Sequence, residues 1–402
     1  MEARNAAGGA RAARAVSLVP MTRYRTQVLV APAVIATVAA LWASPTRAGA
    51  QAAPFPAALS DKDFWSLTEM ASEPNGEFQS DNFLSNERGY QVVIPQLIAT
   101  AKPGRVYLGV GPEQNYPYIL ALKPALAVIF DIRRGNLHEQ LLYKALFEMS
   151  SDRADFLSRL FSRKRPDGLT TTSSVDALMT AYDGVAPSEE LYQANLKAVL
   201  AWLTQKHGFA LHTDDAAGID YVYKTAFFNG GPQLTYNMAG RNGRGGGGGR
   251  GGMGGTYESI QELDDGTGQN RGFLGTEANW LAMKDFETRN LLVPVVGDFG
   301  GPKAIRAVGQ YLKDHGLVVS AFYLSNVEQY LNQSGTEDRF LCNVATLPLD
   351  ETSTFIFTGA GRYGGRGGYG GGGGFGGGGR GGGGGLNTTF LRPMLPDTKG
   401  CP

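Results

Sequence analysis

Two buried strands separated by a glycine turn constrain this chain more than any other feature. The segment Arg105-Val-Tyr-Leu-Gly-Val-Gly-Pro-Glu-Gln114 is followed by Leu126-Ala-Val-Ile-Phe-Asp131. This pattern predicts a strand, a glycine turn, a short helix and a second strand that ends in a carboxylate. In open α/β sheets such glycines let backbone N–H groups approach a nucleotide-type ligand, and the acid accepts hydrogen bonds from ribose hydroxyls. We therefore expect Gly109, Gly111 and Asp131 to lie at one ligand-binding crevice.

The same residues also allow a simpler interpretation. Two glycines are fewer than the three of the full dinucleotide-binding fingerprint, so the turn could connect strand and helix without any ligand. The sequence contains no G-x-S-x-G nucleophile elbow and no P-loop lysine motif, which argues against hydrolase and NTPase functions. The motif indicates a site but names no reaction.

The overall charge limits the possible partners. The chain of 402 residues is long enough for one large or two ordinary domains with a real core. Its 37 Lys plus Arg residues equal its 37 Asp plus Glu residues. Zero net charge creates no field that would attract nucleic acid or an anionic membrane.

The glycines are concentrated in two tracts, residues 240–255 and 359–385. Both tracts carry arginines, and the second interleaves them with aromatic residues, as in RNA-binding RGG segments. A neutral chain that we expect to be exported, on the basis of its N-terminal residues, is a poor candidate for RNA binding. We therefore interpret the tracts as disordered segments that cannot bury enough apolar area to fold. We expect a Gly/Arg loop at 239–255 and a low-complexity loop and tail at 359–402.

The N-terminal region has the layout of a signal peptide. An uncharged apolar stretch at 28–43 follows Arg23 and Arg25 and precedes the small-x-small site Ala48-Gly49-Ala50. We expect residues 1–50 to be a signal peptide with the true start at Met21, followed by a loose segment at 51–62. An uncleaved anchor is the alternative, although the stretch is short for a membrane span and is broken by a proline. The protein is therefore expected to be periplasmic or secreted, with no transmembrane span in its mature form.

Helical patterns surround the two strands. Residues 63–101 are amphipathic, and we expect a helix from about Glu87 to Thr100 with Ser85 as its N-cap. Residues 137–205 are strongly helical and too long for one crossover, so we interpret them as a helical insertion. Within this insertion we expect separate helices at 175–182 and 188–206.

A second group of strands completes the predicted sheet. The apolar runs 291–296 and 317–324 are expected to be buried strands. Further elements are expected as helices at 277–288 and 302–315, and as a C-terminal antiparallel hairpin formed by 340–347 and 353–358. Strand–helix alternation predicts an α/β fold with a doubly wound, mostly parallel sheet across residues 63–358. The ligand site of such a sheet lies at the carboxyl ends of its strands.

Four loops should meet at that edge, and they supply the candidate site residues. Asn115 and Arg133 join the two glycines and Asp131 as candidates for cofactor binding, and Arg133 could bind a phosphate or carboxylate in bidentate fashion. Asp298, Asn326 and Glu328 are the candidates for catalysis, because a carboxylate there could hold a substrate amine or act as a general base.

Each of these candidates has a structural alternative. Asp298 could cap the following helix, and Glu328 could merely favour the N-terminus of its own helix. Arg133 could belong to a solvated loop. His138 and His212 show no partner spacing for a triad or a metal, and no Cys/His cluster predicts a metal site.

The chain has two cysteines. Cys342 lies in an apolar run and is most simply a small buried hydrophobic residue. Cys401 lies next to the C-terminus, where a residue is rarely well placed for disulfide geometry. A disulfide between them is the alternative in an oxidising compartment.

The ordered part of the chain, from about 61 to 358, resembles an uncharacterised and often exported bacterial family with a class I methyltransferase-like Rossmann fold. The resemblance rests on Phe83–Glu87, Tyr107–Asn115, Phe130–Asn136, Leu142–Phe147, Val293–Phe299 and Phe322–Tyr330. It implies S-adenosylmethionine as the cofactor, an antiparallel last strand, and methyl transfer to an unknown small-molecule or protein substrate. The chain departs from the methyltransferase pattern at Tyr107, where an acid is usual, and at Glu113, where the third glycine is usual.

Two functions follow as hypotheses. The first is an exported methyltransferase-like enzyme that binds an adenosyl-type ligand. The second is a non-catalytic exported binding or structural protein on a degenerate scaffold. Because a fold alone does not determine activity, the two hypotheses have to be distinguished by the geometry and chemistry of the site.

Overall fold

The computed structural model describes residues 55–78, 80–236, 255–359 and 388–401. The predicted signal peptide and most of the two predicted glycine-rich segments lie outside the described residues. Residues 388–401, which were assigned to the low-complexity tail, form a strand and a short helix.

The described residues form one six-stranded sheet in the order β3-β2-β1-β4-β5-β6. Its strands are β1 (Val106–Val110), β2 (Leu126–Asp131), β3 (Leu292–Val296), β4 (Val319–Ser325), β5 (Thr354–Gly359) and β6 (Thr388–Pro393). All neighbours pair in parallel except β5 and β6, which are antiparallel. The predicted α/β fold with a mostly parallel sheet is therefore confirmed.

Helices cover the sheet. They are α1 (Asp61–Ala71), α2 (Ile94–Thr100), α3 (Tyr116–Leu122), α4 (Arg134–Met149), α5 (Arg153–Phe161), α6 (Val175–Asp183), α7 (Glu189–Ala201), α8 (Asp215–Val222), α9 (Tyr257–Gln261), α10 (Glu277–Thr288), α11 (Ala304–Asp314), α12 (Val327–Ser334), α13 (Glu337–Val344) and α14 (Met394–Asp397). The bounds predicted for α10 are confirmed, and those for α6 and α7 are confirmed to within a few residues.

The central strands β1 and β2 are buried along their whole length, as expected for a parallel sheet covered on both faces, and the edge strand β3 is buried as well. β1 pairs with β2 on one side and with β4 on the other. The strand order therefore reverses at β1. In open α/β sheets a reversal of this kind opens a crevice at the carboxyl ends of the strands.

The helix α4 connects the sheet to the helical insertion. It is buried almost throughout and packs against β3, α8 and α10. Its Tyr143 and Phe147 join an aromatic cluster with Phe156, Phe273 and Trp280. These contacts hold the helices of the insertion and α10 on one common core.

The predicted C-terminal hairpin is wrong in its first strand. Most of 340–347 belongs to α13 and the turn after it, and the strand antiparallel to β5 is β6, far along the chain. In this run Phe340 and Val344 are both buried, which is the i, i+4 spacing of a helix face. Short apolar runs do not distinguish helix from strand, and this explains the error.

The predicted helix over 87–100 begins later than expected. Glu87 precedes a turn, and α2 begins only at Ile94. The Ser85 hydroxyl accepts a hydrogen bond from the Glu87 N–H at 3.1 Å, but no helix follows directly. The irregular segment before α2 thus reaches the end of β4, where Glu87 is buried and contacts Ser325.

Cys342 and Cys401 form a disulfide with their Cα atoms 5.2 Å apart. The interpretation of Cys342 as an isolated hydrophobic residue is therefore wrong. The reason is β6, which returns the C-terminal segment to the sheet and delivers Cys401 beside α13. No helix in the described ranges is both long and apolar enough to cross a membrane.

Reduction of this disulfide should destabilise the protein. It closes a loop across 59 residues of sequence, and cross-links of this kind typically contribute about 2–4 kcal/mol to the free energy of unfolding. Urea unfolding with and without dithiothreitol should show a loss of that size. The double variant Cys342→Ala/Cys401→Ala is the control and should be insensitive to the reductant. Coincident curves for the oxidised and reduced wild type would contradict the prediction.

Candidate functional site

A cavity of about 530 Å³ lies at the carboxyl ends of β1, β2, β3 and β4, a size that suits a small organic ligand. The lining residues come from the segment between α1 and α2, the loops after β1, β2 and β3, the end of β4, the length of α12 with the turn after it, and Tyr236. They include Phe78, Asn82, Leu84, Ser85, Asn86, Val110, Gly111, Pro112, Gln114, Asp131, Ile132, Arg133, Tyr236, Asp298, Phe299, Ser325, Asn326, Val327, Tyr330, Leu331, Gln333, Ser334 and Thr336.

The turn after β1 contributes Gly111 but not Gly109 or Asn115. Gly111 adopts a φ of +81°, which favours glycine, and it borders the cavity. A Cβ on Gly109 would lie 2.0 Å from the Asn115 Oδ1 atom, so this glycine makes room for Asn115. The Asn115 amide donates to the carbonyls of Val110, Gly111 and Pro112 and accepts from the Tyr107 hydroxyl at 2.8 Å. Gly109 and Asn115 therefore stabilise the glycine turn but do not line the cavity, so the prediction that they contact a ligand there is wrong.

The end of β2 places Asp131 and Arg133 in the cavity wall as an ion pair. The Asp131 Oδ1 accepts from the Arg133 N–H at 2.9 Å and from its Nε at 3.0 Å, and Oδ2 accepts from Nη2 at 2.8 Å. A carboxylate has about four acceptor positions, so one position on Oδ2 is left for a ligand hydroxyl. Arg133 is neither the free anion binder that was predicted nor part of a solvated loop.

The loop after β3 places Asp298 at the exposed rim of the cavity. Its Oδ1 accepts from the Gly300 N–H at 2.9 Å and thereby stabilises its own turn. The alternative that Asp298 caps the next helix is wrong. Glu73 performs that role, because its Oε1 accepts from the N–H groups of Lys303 and Ala304 at 2.8 and 3.0 Å.

The end of β4 contributes Ser325 and Asn326, but not Glu328. Glu328 does not line the cavity, since its Oε1 accepts from Nη2 of Arg392 on β6 at 2.5 Å. Burial raises the pKa of the Glu328 carboxyl. The prediction that Glu328 lies with Asp298 and Asn326 at the reactive end of the ligand is wrong, because the side chain is turned toward the last strand.

Sequence reasoning missed part of the cavity wall. Phe78 and Tyr330 meet edge to face with ring centroids 5.0 Å apart, and Tyr236 lines the same space. Phe78 and Tyr236 lie in irregular segments that carry no periodic signal. Ser85 and Tyr330 lie in segments on which the family resemblance rests, and that was the available signal for them.

Glu113 lies behind the glycine turn and not in the cavity. It is 1% exposed, and burial raises the pKa of its carboxyl to about 8. The nearby carboxyl of Glu139 is also buried, and burial raises its pKa well above the usual range. The Glu113 carboxyl is thus turned away and protonated at neutral pH, so it does not repel an anionic ligand as a charged residue at this position would.

The cavity offers little net charge to a ligand. Arg133 is the one cation among its described lining residues, and it is paired with Asp131. Aliphatic and aromatic side chains alternate with amides and hydroxyls over the rest of the wall. With the exposed Asp298 carboxylate at the rim and no unpaired cation among the described lining residues, this lining disfavours a polyphosphate. In the described parts of the chain, no group of three or more His, Cys, Asp or Glu side chains could hold a metal ion.

A family model described as a domain of unknown function (DUF7790) matches residues 82–205 and 195–365. The two matches span about seven tenths of the chain, so the protein belongs to this family. No curated protein matches the sequence.

The variant Glu113→Gln should make stability less dependent on pH. The folded protein retains the Glu113 proton up to about pH 8, whereas the unfolded chain releases it near the ordinary value of 4.5. The contribution of this carboxyl is therefore fully present below pH 4.5 and is lost as the pH rises toward 8, at up to about 1.4 kcal/mol per pH unit.

Urea unfolding at pH 5 and pH 8 measures this effect. The variant should gain stability relative to the wild type at pH 8 and little at pH 5. Glu190→Gln, an exposed position on α7, is the control and should follow the wild type. An equal shift of Glu113→Gln at both pH values would argue against the assignment.

Proposed function

We propose that the cavity binds an adenosyl-type ligand, with S-adenosylmethionine as the cofactor and methyl transfer to a small-molecule or protein substrate as the reaction. The observation that carries the proposal is the shared cavity of Gly111 and Asp131 at the point where the strand order reverses. In open α/β sheets, that is where nucleotide-type ligands bind.

The sheet supports this proposal in a second way. Its order, with an antiparallel strand β6 at the edge next to β5, fits the reversed last strand that the methyltransferase resemblance implies. The strand at this edge is β6, which comes from residues 388–393 near the C-terminus.

The lining residues suit the parts of an adenosyl group. The remaining acceptor position on Asp131 Oδ2 would receive one ribose hydroxyl. The rings of Phe78, Tyr236 and Tyr330 supply apolar surface for a flat base, and the amides of Asn82, Asn86 and Asn326 supply donors and acceptors. The absence of an unpaired cation among the described lining residues favours an adenosyl group over a phosphate-bearing nucleotide.

One observation favours the second candidate function, a non-catalytic binding protein. Three of about four acceptor positions of Asp131 are occupied by Arg133, and the carboxylate of Glu328 is bonded to Arg392. A scaffold that has lost cofactor chemistry would tolerate such internal pairing. Ligand titration separates the two candidates.

The disulfide supports the proposed export. Disulfides form and persist in oxidising compartments and are rare in the cytosol. The bond between Cys342 and Cys401 therefore fits a periplasmic or secreted protein, as the apolar segment at 28–43 predicts.

Titration of the purified protein with S-adenosylmethionine and S-adenosylhomocysteine should give measurable heat in a calorimeter. The variant Asp131→Asn should weaken binding by about tenfold or more, since a hydrogen bond to a charged group contributes roughly 1.5–3 kcal/mol. Asp183→Asn, an exposed position on α6, is the matched control and should bind like the wild type. Absence of heat with both ligands would eliminate the adenosyl-type ligand and leave the non-catalytic candidate.

Fusion of residues 21–50 to a reporter that is active only outside the cytosol should yield an active reporter. Removal of Arg23 and Arg25 should reduce export, because the basic region before the apolar stretch is part of a signal peptide. A fusion that starts at residue 51 is the control. Equal reporter activity from both fusions would contradict the signal-peptide interpretation.

A further inference from the structure

Ser325 occupies a strained turn between a central strand and a helix. It ends β4, and α12 begins two residues later at Val327. Its φ of +53° lies in the left-handed region, which non-glycine residues rarely adopt and which costs free energy. The register between β4 and β5 shifts between Tyr323 and Ser325, and irregularities of this kind can redirect a side chain next to an active site.

This turn has the geometry of a nucleophile elbow without its sequence motif. In that device a serine sits on a strained strand-to-helix turn, so that its Oγ is presented at the carboxyl edge of the sheet. Ser325 lines the cavity at this edge. Tyr323 and Val327 occupy the positions where the motif has glycines, which is why the G-x-S-x-G pattern does not detect the turn.

The hydroxyl of Ser325 is bonded to a buried carboxylate. Ser325 Oγ donates to Oε1 of Glu87, and Oε2 accepts from the hydroxyls of Tyr323 at 2.5 Å and Thr358 at 2.7 Å. Glu87 is 1% exposed and forms no ion pair with any described residue. Burial raises the pKa of its carboxyl, and the hydrogen bonds from Ser325, Tyr323 and Thr358 oppose that rise.

No histidine competes with Glu87 as the partner of Ser325. All four histidines of the chain are engaged elsewhere: His138 with Asp215, His207 with Asp61 and Glu148, His212 with Glu69, and His315 with the Tyr311 carbonyl. Glu87 is therefore the proton acceptor within hydrogen-bond reach of Ser325. A nucleophile and a base in direct contact are the minimum requirement for covalent catalysis by serine.

We propose that Ser325 is a catalytic nucleophile, with Glu87 as its general base, in the hydrolysis of an uncharged carboxylic ester bound in the cavity. Ser325 Oγ forms a bond to the ester carbonyl carbon while its proton moves to Glu87. The C–O bond to the leaving alcohol then breaks, and the alcohol takes the proton from Glu87. Water then adds to the acyl carbon while its proton moves to Glu87, the bond from that carbon to Ser325 Oγ breaks, and Oγ takes the proton back from Glu87, which releases the carboxylic acid and restores both residues.

The backbone after Ser325 offers donors for the developing oxyanion. The first N–H groups of an α-helix have no carbonyl partner within their own helix. In nucleophile elbows the backbone N–H of the residue directly after the nucleophile is such a donor, and here that residue is Asn326, the N-cap of α12.

The cavity and the proposed compartment both suit this substrate class. The wall is mainly apolar with neutral hydrogen-bonding groups, so an ester with an apolar acyl or alcohol part fits better than a charged substrate. Ester hydrolysis requires only water as its second reactant. The proposal is therefore independent of the adenosyl-type ligand.

Labelling of the full-length protein with a fluorophosphonate in the absence of S-adenosylmethionine tests the proposal. Ser325 should displace fluoride and gain a phosphonyl group, located by peptide mass spectrometry. Ser325→Ala and Ser325→Gly should lose the label and the hydrolysis of p-nitrophenyl acetate, and glycine tolerates the positive φ, so this variant keeps the turn. Ser320→Ala is the matched control, because Ser320 lies on the same strand with its hydroxyl bonded to the Val106 carbonyl.

Glu87→Gln should slow labelling by about 100-fold or more, because the amide fills the same space but cannot accept the proton. In the wild type the labelling rate should rise with pH through a single ionisation, which tests the base without any substitution. An unlabelled Ser325, or a labelling rate that is unchanged in Glu87→Gln and flat with pH, would overturn the proposal. Failure to bind S-adenosylmethionine would leave these outcomes unaffected.

Discussion

The parallel pairing of β1 with both β2 and β4 is the constraint on which the rest of the molecule depends. Because the chain leaves β1 toward β2 and returns to it as β4, the loops at its carboxyl end diverge to opposite sides. The divergence creates the cavity. The same pairing brings Asp131 at the end of β2 and Ser325 at the end of β4 into one wall.

Internal pairing determines which groups of this wall remain available. Asp131 in the wall is held by Arg133, and the exposed Asp298 carboxylate at the rim accepts from the Gly300 N–H of its own turn. Glu328 lies outside the wall and is held by Arg392. Buried charges require such partners, since removing one partner leaves an uncompensated charge. On the β4 side Ser325 lines the cavity, and its hydroxyl is bonded to the buried carboxyl of Glu87, which is not a lining residue.

Local pattern was sufficient for most of the sheet and for part of the site. Continuous apolar runs identified β1 to β4, and the carboxyl-edge rule placed Gly111, Asp131, Asp298 and Asn326 at the cavity. The short apolar run of α13 was ambiguous between helix and strand, and the other errors arose where a contact between distant parts of the chain decides the structure. The strand β6, the Cys342–Cys401 bond and the capping of α11 by Glu73 all join residues far apart in sequence, and no periodicity encodes them.

The large separation in sequence also explains why the pairing of Glu87 with Ser325 was not predicted. They are separated by 238 positions and meet only because the irregular segment before α2 reaches the carboxyl end of β4. The positive φ of Ser325 is likewise a property of the folded turn. Strain at a non-glycine residue persists only where the surroundings hold it, and the hydrogen bond to Glu87 is one such restraint.

Strain and burial at the β4 side of the cavity bear on the hydrolytic proposal and not on the adenosyl-type ligand. The proposed adenosyl group would use the β2 side, where one acceptor position of Asp131 is left, and it would require neither the positive φ of Ser325 nor the buried Glu87 carboxyl, which has no cationic partner among the described residues. Both features are unfavourable for stability alone. A hydrolytic role for Ser325 accounts for both features with water as the second reactant, and it is compatible with the oxidising compartment that the disulfide favours.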